Sequence, residues 1–260
     1  MEAVIVTACR EDALEARRGG ARVLSVKNLR EGSLGANIPR TIREVRKAVP
    51  RRVAVGASLG DFPERMAGTA AQAAIGAIVS GARHHVTAGL CRVSSKEEAS
   101  LIIRHLGEIK DLYPRVMMAI GVYADYERLG TIGPTEALEL LKGSRIDAVV
   151  LDVQFPEEAH LFQLMKPSVL QEFVGRAHRY GLRTILLGSL GVPDVEALIE
   201  IGTDLIGVRG SVCEGGRTGR VSAQKVRELL RTIEHQESLY SRRSGRSFRL
   251  WPFSVGKRTR

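Results

Sequence analysis

Eight short apolar runs alternate with eight amphipathic segments across residues 3–235, and this alternation predicts a single (β/α)8 barrel. Two further observations favour a closed barrel over an open sheet. The chain is 260 residues long, the usual size of one α/β barrel domain. No Gly-x-Gly-x-x-Gly follows the first strand, so the signature of a dinucleotide-binding open sheet is missing.

The strands are runs of β-branched and apolar residues, too short for helices and apolar on both faces, as buried parallel strands are. They fall at 3–7, 22–26, 52–55, 84–88, 115–120, 146–151, 183–187 and 204–208. Each is followed by a segment with apolar residues at i, i+3 and i+4, which gives a helix one buried face. These segments are 11–18, 39–49, 69–80, 96–111, 134–141, 168–180, 192–201 and 222–235. Ser94 with Ser95, Pro134, Pro167 with Ser168, and Pro193 with Asp194 are helix starters. Gly19, Gly81, Gly143, Gly181 and Gly202 follow helix ends, where the left-handed backbone needs no Cβ. Strict alternation implies parallel strands joined by right-handed crossovers. Residues 1–240 are therefore read as the barrel and 241–260 as an Arg-rich, flexible C-terminal tail.

Composition excludes other classes. At 44% hydrophobic and 26% charged the chain is neither low-complexity nor disordered. No apolar run approaches the ~20 residues that span a bilayer. The opening segment has no basic start or long apolar stretch, so no signal peptide is expected. Cys9, Cys91 and Cys213 are odd in number and form no Cys-x-x-Cys pair, which suits a cytoplasmic location and no structural zinc. Net charge is +10, and seven of those ten charges lie in the last twenty residues, which carry no acid. Residues 1–240 hold the remaining three, so any contact with nucleic acid or another acidic partner falls to the tail, which otherwise reads as a solvated basic extension.

A barrel keeps its chemistry at the C-terminal ends of its strands. Lys27 ends the second strand, ahead of a loop at 30–37 that contains Ser33; Asp61 lies after the third, Asp125 after the fifth, and Asp152 ends the sixth. A lysine at a barrel mouth suits Schiff-base chemistry on a carbonyl, which needs a neutral amine. At an ordinary pKa of ~10.4 only about one lysine in 2,500 is neutral at pH 7, and burial can supply the missing depression. A lysine snorkelling to solvent fits the same position. Asp152 suits proton transfer, or pairing with an interior cation. Asp61 and Asp125 fit turns or caps with a supporting role. Gly188 with Ser189, and Gly210 with Ser211 beside Arg209, read as phosphate-binding turns after strands seven and eight. His84 and His85 are adjacent, and strand neighbours point to opposite faces. With no partner set around them, no metal site is expected. Cys213 reads as a packing residue.

In order along the chain, SVKNLREGSLGANIP at 25–39, ASLGDFP at 57–63, AAIGAIVSGA at 73–82, YADYERLG at 123–130, LDVQF at 151–155, LLGSLGVPDV at 186–195 and GVRGSVCEGGRTGRV at 207–221 resemble the (5-formylfuran-3-yl)methyl phosphate synthase family over residues 3–235. The resemblance implies a (β/α)8 barrel that condenses two glyceraldehyde 3-phosphate molecules, one isomerised, into a phosphorylated furan aldehyde. One phosphate and water are lost, and the product serves a methanofuran-type one-carbon carrier. It further implies that Lys27 forms the Schiff base and Asp152 acts as general acid and base, with no metal or organic cofactor. It also implies lysines near the ends of strands four and six. Here Thr87 or its neighbour, and Pro156, stand in those places. The expected partners are sugar phosphates and, as an open possibility, further copies of the chain. Two alternatives stay open: a divergent lysine-dependent aldolase acting on another phosphorylated aldehyde or ketone, and a non-catalytic binding protein.

Overall fold

The computed structural model describes residues 1–244. Eight parallel strands close into one barrel in chain order. They are β1 (Glu2–Thr7), β2 (Val23–Val26), β3 (Ala54–Asp61), β4 (His85–Gly89), β5 (Met117–Tyr123), β6 (Ala148–Asp152), β7 (Arg183–Leu186) and β8 (Leu205–Val208). The seam between the ends of the chain pairs Ala3 with Ile206 and Ile5 with Val208.

Residues of alternating parity point inward. Val4, Val23, Met117, Ala119, Ala148, Val150, Ile185, Leu187 and Leu205 fill the barrel interior. The outward-facing residues pack beneath the helices in a second, larger core. The interior is thus a packed plug of apolar side chains below a more polar upper end.

The helices form the outer ring: α1 (Arg10–Arg18), α2 (Pro39–Ala48), α3 (Ala67–Ser80), α4 (Lys96–Glu108), α5 (Tyr126–Leu129), α6 (Pro134–Leu141), α7 (Leu161–Leu164), α8 (Pro167–Arg179), α9 (Val195–Ile201) and α10 (Ala223–Ser244). Ser95 caps α4 as expected, its hydroxyl accepting from the Glu98 amide at 3.2 Å. Pro39, Pro134 and Pro167 open their helices, where a missing N–H costs nothing.

Four differences from the sequence reading matter for the site. β3 runs six residues past Val55 to Asp61, with a register shift between Ser58 and Asp61, so the Ser58–Asp61 stretch is strand and not loop. β5 continues to Tyr123, which pairs with Asp152 on β6. A small hairpin, β9 (Cys213–Glu214) with β10 (Arg220–Val221), follows β8. Finally, α10 continues through residues 241–244, so the segment read as a tail begins as helix. Residues 245–260, with most of that segment, lie outside the described residues. No described helix is long and apolar enough to cross a membrane.

Candidate active site

β2 and β6 stand on opposite sides of an eight-stranded barrel, and each ends in a charged residue pointing inward. Lys27, the residue after β2, is 4% exposed, and Asp152 at the end of β6 is 3% exposed. The Lys27 Nζ donates to the Ser33 carbonyl at 2.9 Å and lies 3.5 Å from Asp152 Oδ2. The other carboxylate oxygen, Oδ1, accepts from the Val153 amide at 2.8 Å. Burial pushes the Lys27 pKa below the ordinary lysine range; Asp152 opposes that shift, while the nearby Arg217 guanidinium adds to it.

A cavity of about 500 Å³ opens over this pair. Lys27, Ser33, Asp152, Gly188, Ser189, Gly210 and Ser211 all line it, so the structure brings together most of the residues singled out in the sequence. Among the described residues, no protein acceptor takes the backbone N–H groups of Gly188, Ser189, Leu190, Gly210 or Ser211. Gly188 (φ 111°) and Ser189 (φ 61°) both adopt positive φ, the backbone of a tight turn at the cavity wall. The two serine hydroxyls have another task. Ser189 Oγ donates to the Pro156 carbonyl, and Ser211 Oγ donates to the Leu190 carbonyl at 2.8 Å. They tie the loops together, and the open donors are main-chain.

Arg209 corrects the expectation of a phosphate-binding side chain. It reaches the cavity wall, but Nη1 donates to Asp12 Oδ2 at 2.6 Å and to the Val6 carbonyl at 3.1 Å. Nε donates to the Arg217 carbonyl at 2.9 Å, and Nη2 to the Gly219 carbonyl at 2.6 Å. Four of its five N–H donors are therefore committed inside the protein, against a buried carboxylate. Arg209 is a structural clamp.

Asp61 and Asp125 are absent from the cavity wall. Asp61 lies one layer aside, accepting from the Tyr123 hydroxyl and from Gln154 Nε2 at 3.3 Å. Burial raises its pKa, against those two bonds. Gly89 makes the arrangement possible, since a methyl group there would overlap Asp61 and crowd the Tyr123 hydroxyl at 2.5 Å. Gln154 also accepts from Ser33 Oγ at 3.0 Å. It thereby links Asp61 to the loop whose carbonyl holds Lys27. Asp125 Oδ1 accepts from the Gln154 amide at 3.1 Å and orients the same segment. Sequence reasoning gave no role to Tyr123, Gln154 or Arg217.

A second internal space of about 20 Å³ lies below Lys27, walled in part by Ser58, His85 and Thr87. Thr87 and Pro156, the two positions where a lysine was expected, line the small space and the main cavity respectively, and Lys27 lines both. His85 is held neutral by burial. His84 precedes β4 and is free of its pleat, so its Nδ1 comes within 2.9 Å of that of His85. Among the described residues, no three His, Cys, Asp or Glu side chains come together in a metal-ligating cluster. Burial raises the Cys213 pKa to about 11, which fits a packing thiol.

Fold and site define a (β/α)8-barrel protein with a buried lysine–carboxylate centre facing a cavity rimmed by main-chain N–H groups of the β7 and β8 loops. Residues 4–230 match the 4-HFC-P synthase family, and the chain belongs to it. It is 40% identical over 227 residues to the (5-formylfuran-3-yl)methyl phosphate synthase of Methanothermobacter thermautotrophicus, covering 86% of this chain and 95% of that protein. Against the enzyme of the same name from Methanocaldococcus jannaschii it is 37% identical over 222 residues, covering 84% and 94%. Solved structures share the fold at much lower identity. Phosphoribosyl anthranilate isomerase from Thermotoga maritima superposes with a TM-score of 0.58 at 15% identity, covering 90% of this chain and 99% of that one. 3-Hexulose-6-phosphate synthase gives 0.58 at 15%, covering 91% and 99%.

Proposed function

We propose that this protein condenses two molecules of glyceraldehyde 3-phosphate, one isomerised, into (5-formylfuran-3-yl)methyl phosphate through an imine on Lys27. The observation that carries the reading is the buried Lys27 amine, 3.5 Å from the Asp152 carboxylate in the floor of a cavity rimmed by open peptide N–H groups. Relatives at 37–40% identity are named for that product.

The neutral amine adds to a triose phosphate carbonyl and expels water, giving an iminium. The cationic nitrogen acidifies the adjacent C–H, and Asp152 takes that proton. The enamine adds to the aldehyde of the second triose phosphate. Loss of one phosphate and two waters, counted over the whole sequence, closes and aromatises the ring. Hydrolysis returns the lysine. The main-chain donors after β7 and β8 hold a phosphoryl group while this happens. The product supplies the furan of a methanofuran-type carrier.

Borohydride reduction in the presence of glyceraldehyde 3-phosphate should leave a mass adduct on Lys27, and turnover should generate furan absorbance. Furan formation without any adduct at Lys27 overturns the covalent route. The neutral residues Thr87 and Pro156 on the walls of the two spaces that Lys27 lines favour one other reading: the same imine chemistry on a different phosphorylated aldehyde or ketone. Product analysis separates the two, because only the first yields a furan.

A further inference from the structure

Three cationic side chains border the main cavity: Lys27, Arg209 and Arg217. Lys27 holds the reacting amine, and Arg209 is committed to Asp12 and three carbonyls. Arg217 differs from both. Nη2 donates to the Gly32 carbonyl at 3.1 Å, and Nη1 meets Glu157 Oε1 at 3.2 Å. The Arg217 side chain is 16% exposed, whereas its carboxylate partner is 64% exposed. The guanidinium is thus turned inward and paired with an anion on the rim that water can replace.

The chain is built to deliver that guanidinium. Gly215 and Gly216, at φ 77° and 76°, turn the backbone between the two hairpin strands. A side chain at Gly219 would collide with the Glu214 carbonyl. The clamp of Arg209 on the Arg217 and Gly219 carbonyls then fixes the returning strand. Glu157 follows Pro156, whose carbonyl accepts from Ser189 Oγ. The Arg217–Glu157 pair lines the same cavity as Gly188 and Ser189 of the β7 loop.

We infer that Arg217 is the cation that selects a phosphoryl group in this cavity, and that Glu157 is a placeholder anion which the phosphoryl group displaces. The proposal rests on the reading above, in which the substrate carries phosphate. A carboxylate–guanidinium pair whose anion stands in solvent is weakened by water, whereas a phosphate dianion offers twice the charge and can accept two parallel N–H bonds from arginine. Exchange of one anion for the other is favourable, and an unphosphorylated aldehyde has nothing to drive it. After phosphate is eliminated, the tethered carboxylate is at hand to re-pair with Arg217 and ease the free anion out.

The test is calorimetric binding of inorganic phosphate to the full chain, which needs no reaction. Arg217→Ala should weaken phosphate binding about tenfold or more. Glu157→Gln, an exposed substitution that leaves the fold intact, should tighten it several-fold by removing the competitor. Preference for glyceraldehyde 3-phosphate over glyceraldehyde in borohydride trapping should fall in Arg217→Ala by a factor similar to the loss of phosphate affinity. Unchanged phosphate affinity in Arg217→Ala, or weaker binding in Glu157→Gln, overturns the inference. Failure of trapping at Lys27 with these phosphate effects intact would instead sink the imine reading alone.

Discussion

Lys27 and Asp152 reach toward each other across the full width of the barrel mouth, 3.5 Å apart, from strands that never touch. The contact exists only once all eight strands are closed. It couples two opposing demands on one amine. Burial favours the neutral, nucleophilic form, and the carboxylate favours the charged one.

Replacing Asp152 by Asn separates those demands. Without the carboxylate the Lys27 pKa falls further, so the acid limb of borohydride trapping moves to lower pH. Turnover should nevertheless drop by about 10²–10⁴, because the proton acceptor is gone. Parallel pH profiles of trapping and turnover check this. A turnover rate equal to that of the parent protein would remove Asp152 from the chemistry.

Pro156→Lys places a second amine in the wall of the main cavity. A like charge disfavours the Lys27 ammonium, so trapping should reach half its maximum at a lower pH than in the parent. The carbonyl at position 156 is kept, so the bond from Ser189 survives. An unchanged midpoint would show that position 156 does not sense Lys27, and a higher one would refute the like-charge account.

Asp12→Ala should destabilise the barrel by about 3–5 kcal/mol, since it leaves a buried guanidinium without its carboxylate. Asp12 is 2% exposed and also accepts from the amides of Ala8 and Val221. Chemical unfolding monitored by circular dichroism gives the number. A loss below about 1 kcal/mol, the scale of an exposed pair, would mean that Arg209 finds other partners.

Glu2→Gln tests the lower end of the barrel. Burial raises the Glu2 pKa from 4.5 to about 7, and Oε1 has no hydrogen-bond partner among the described residues. The folded state therefore favours the protonated acid. That contribution is full below pH 4.5 and is lost as pH rises through 7. The variant should match the parent near pH 4 and be the more stable of the two at pH 8. His84, with its pKa lowered to about 4, affects both proteins alike. Equal unfolding midpoints at pH 8 would refute the assignment.

The barrel was legible because its strands are short β-branched runs buried on both faces, and its helices start and stop on Ser, Pro and Gly. Lys27 and Asp152 were legible because a strand's last inward residue must face the mouth. Arg209 misled because nearness in sequence to Gly210 and Ser211 does not say where a guanidinium points. Its partner, Asp12, lies 197 residues away and becomes a neighbour only through closure. Arg217 was hidden for a related reason: nothing in the strand–helix pattern marks a hairpin inserted after the last strand. The one available signal was local, a single arginine between the glycines of GGRTG. Asp61 looked like a turn residue because β3 appeared to end at Val55, and only the register shift beyond Ser58 carries it into the sheet.

The pairing of β1 with β8 has a bearing on biosynthesis. A chain emerging from the ribosome carries its first strand from the outset, yet the strand that completes the ring appears only near residue 205. Until then β1 and β7 are raw edges, each able to recruit a strand from another nascent chain. Closure by β8 removes both edges at once.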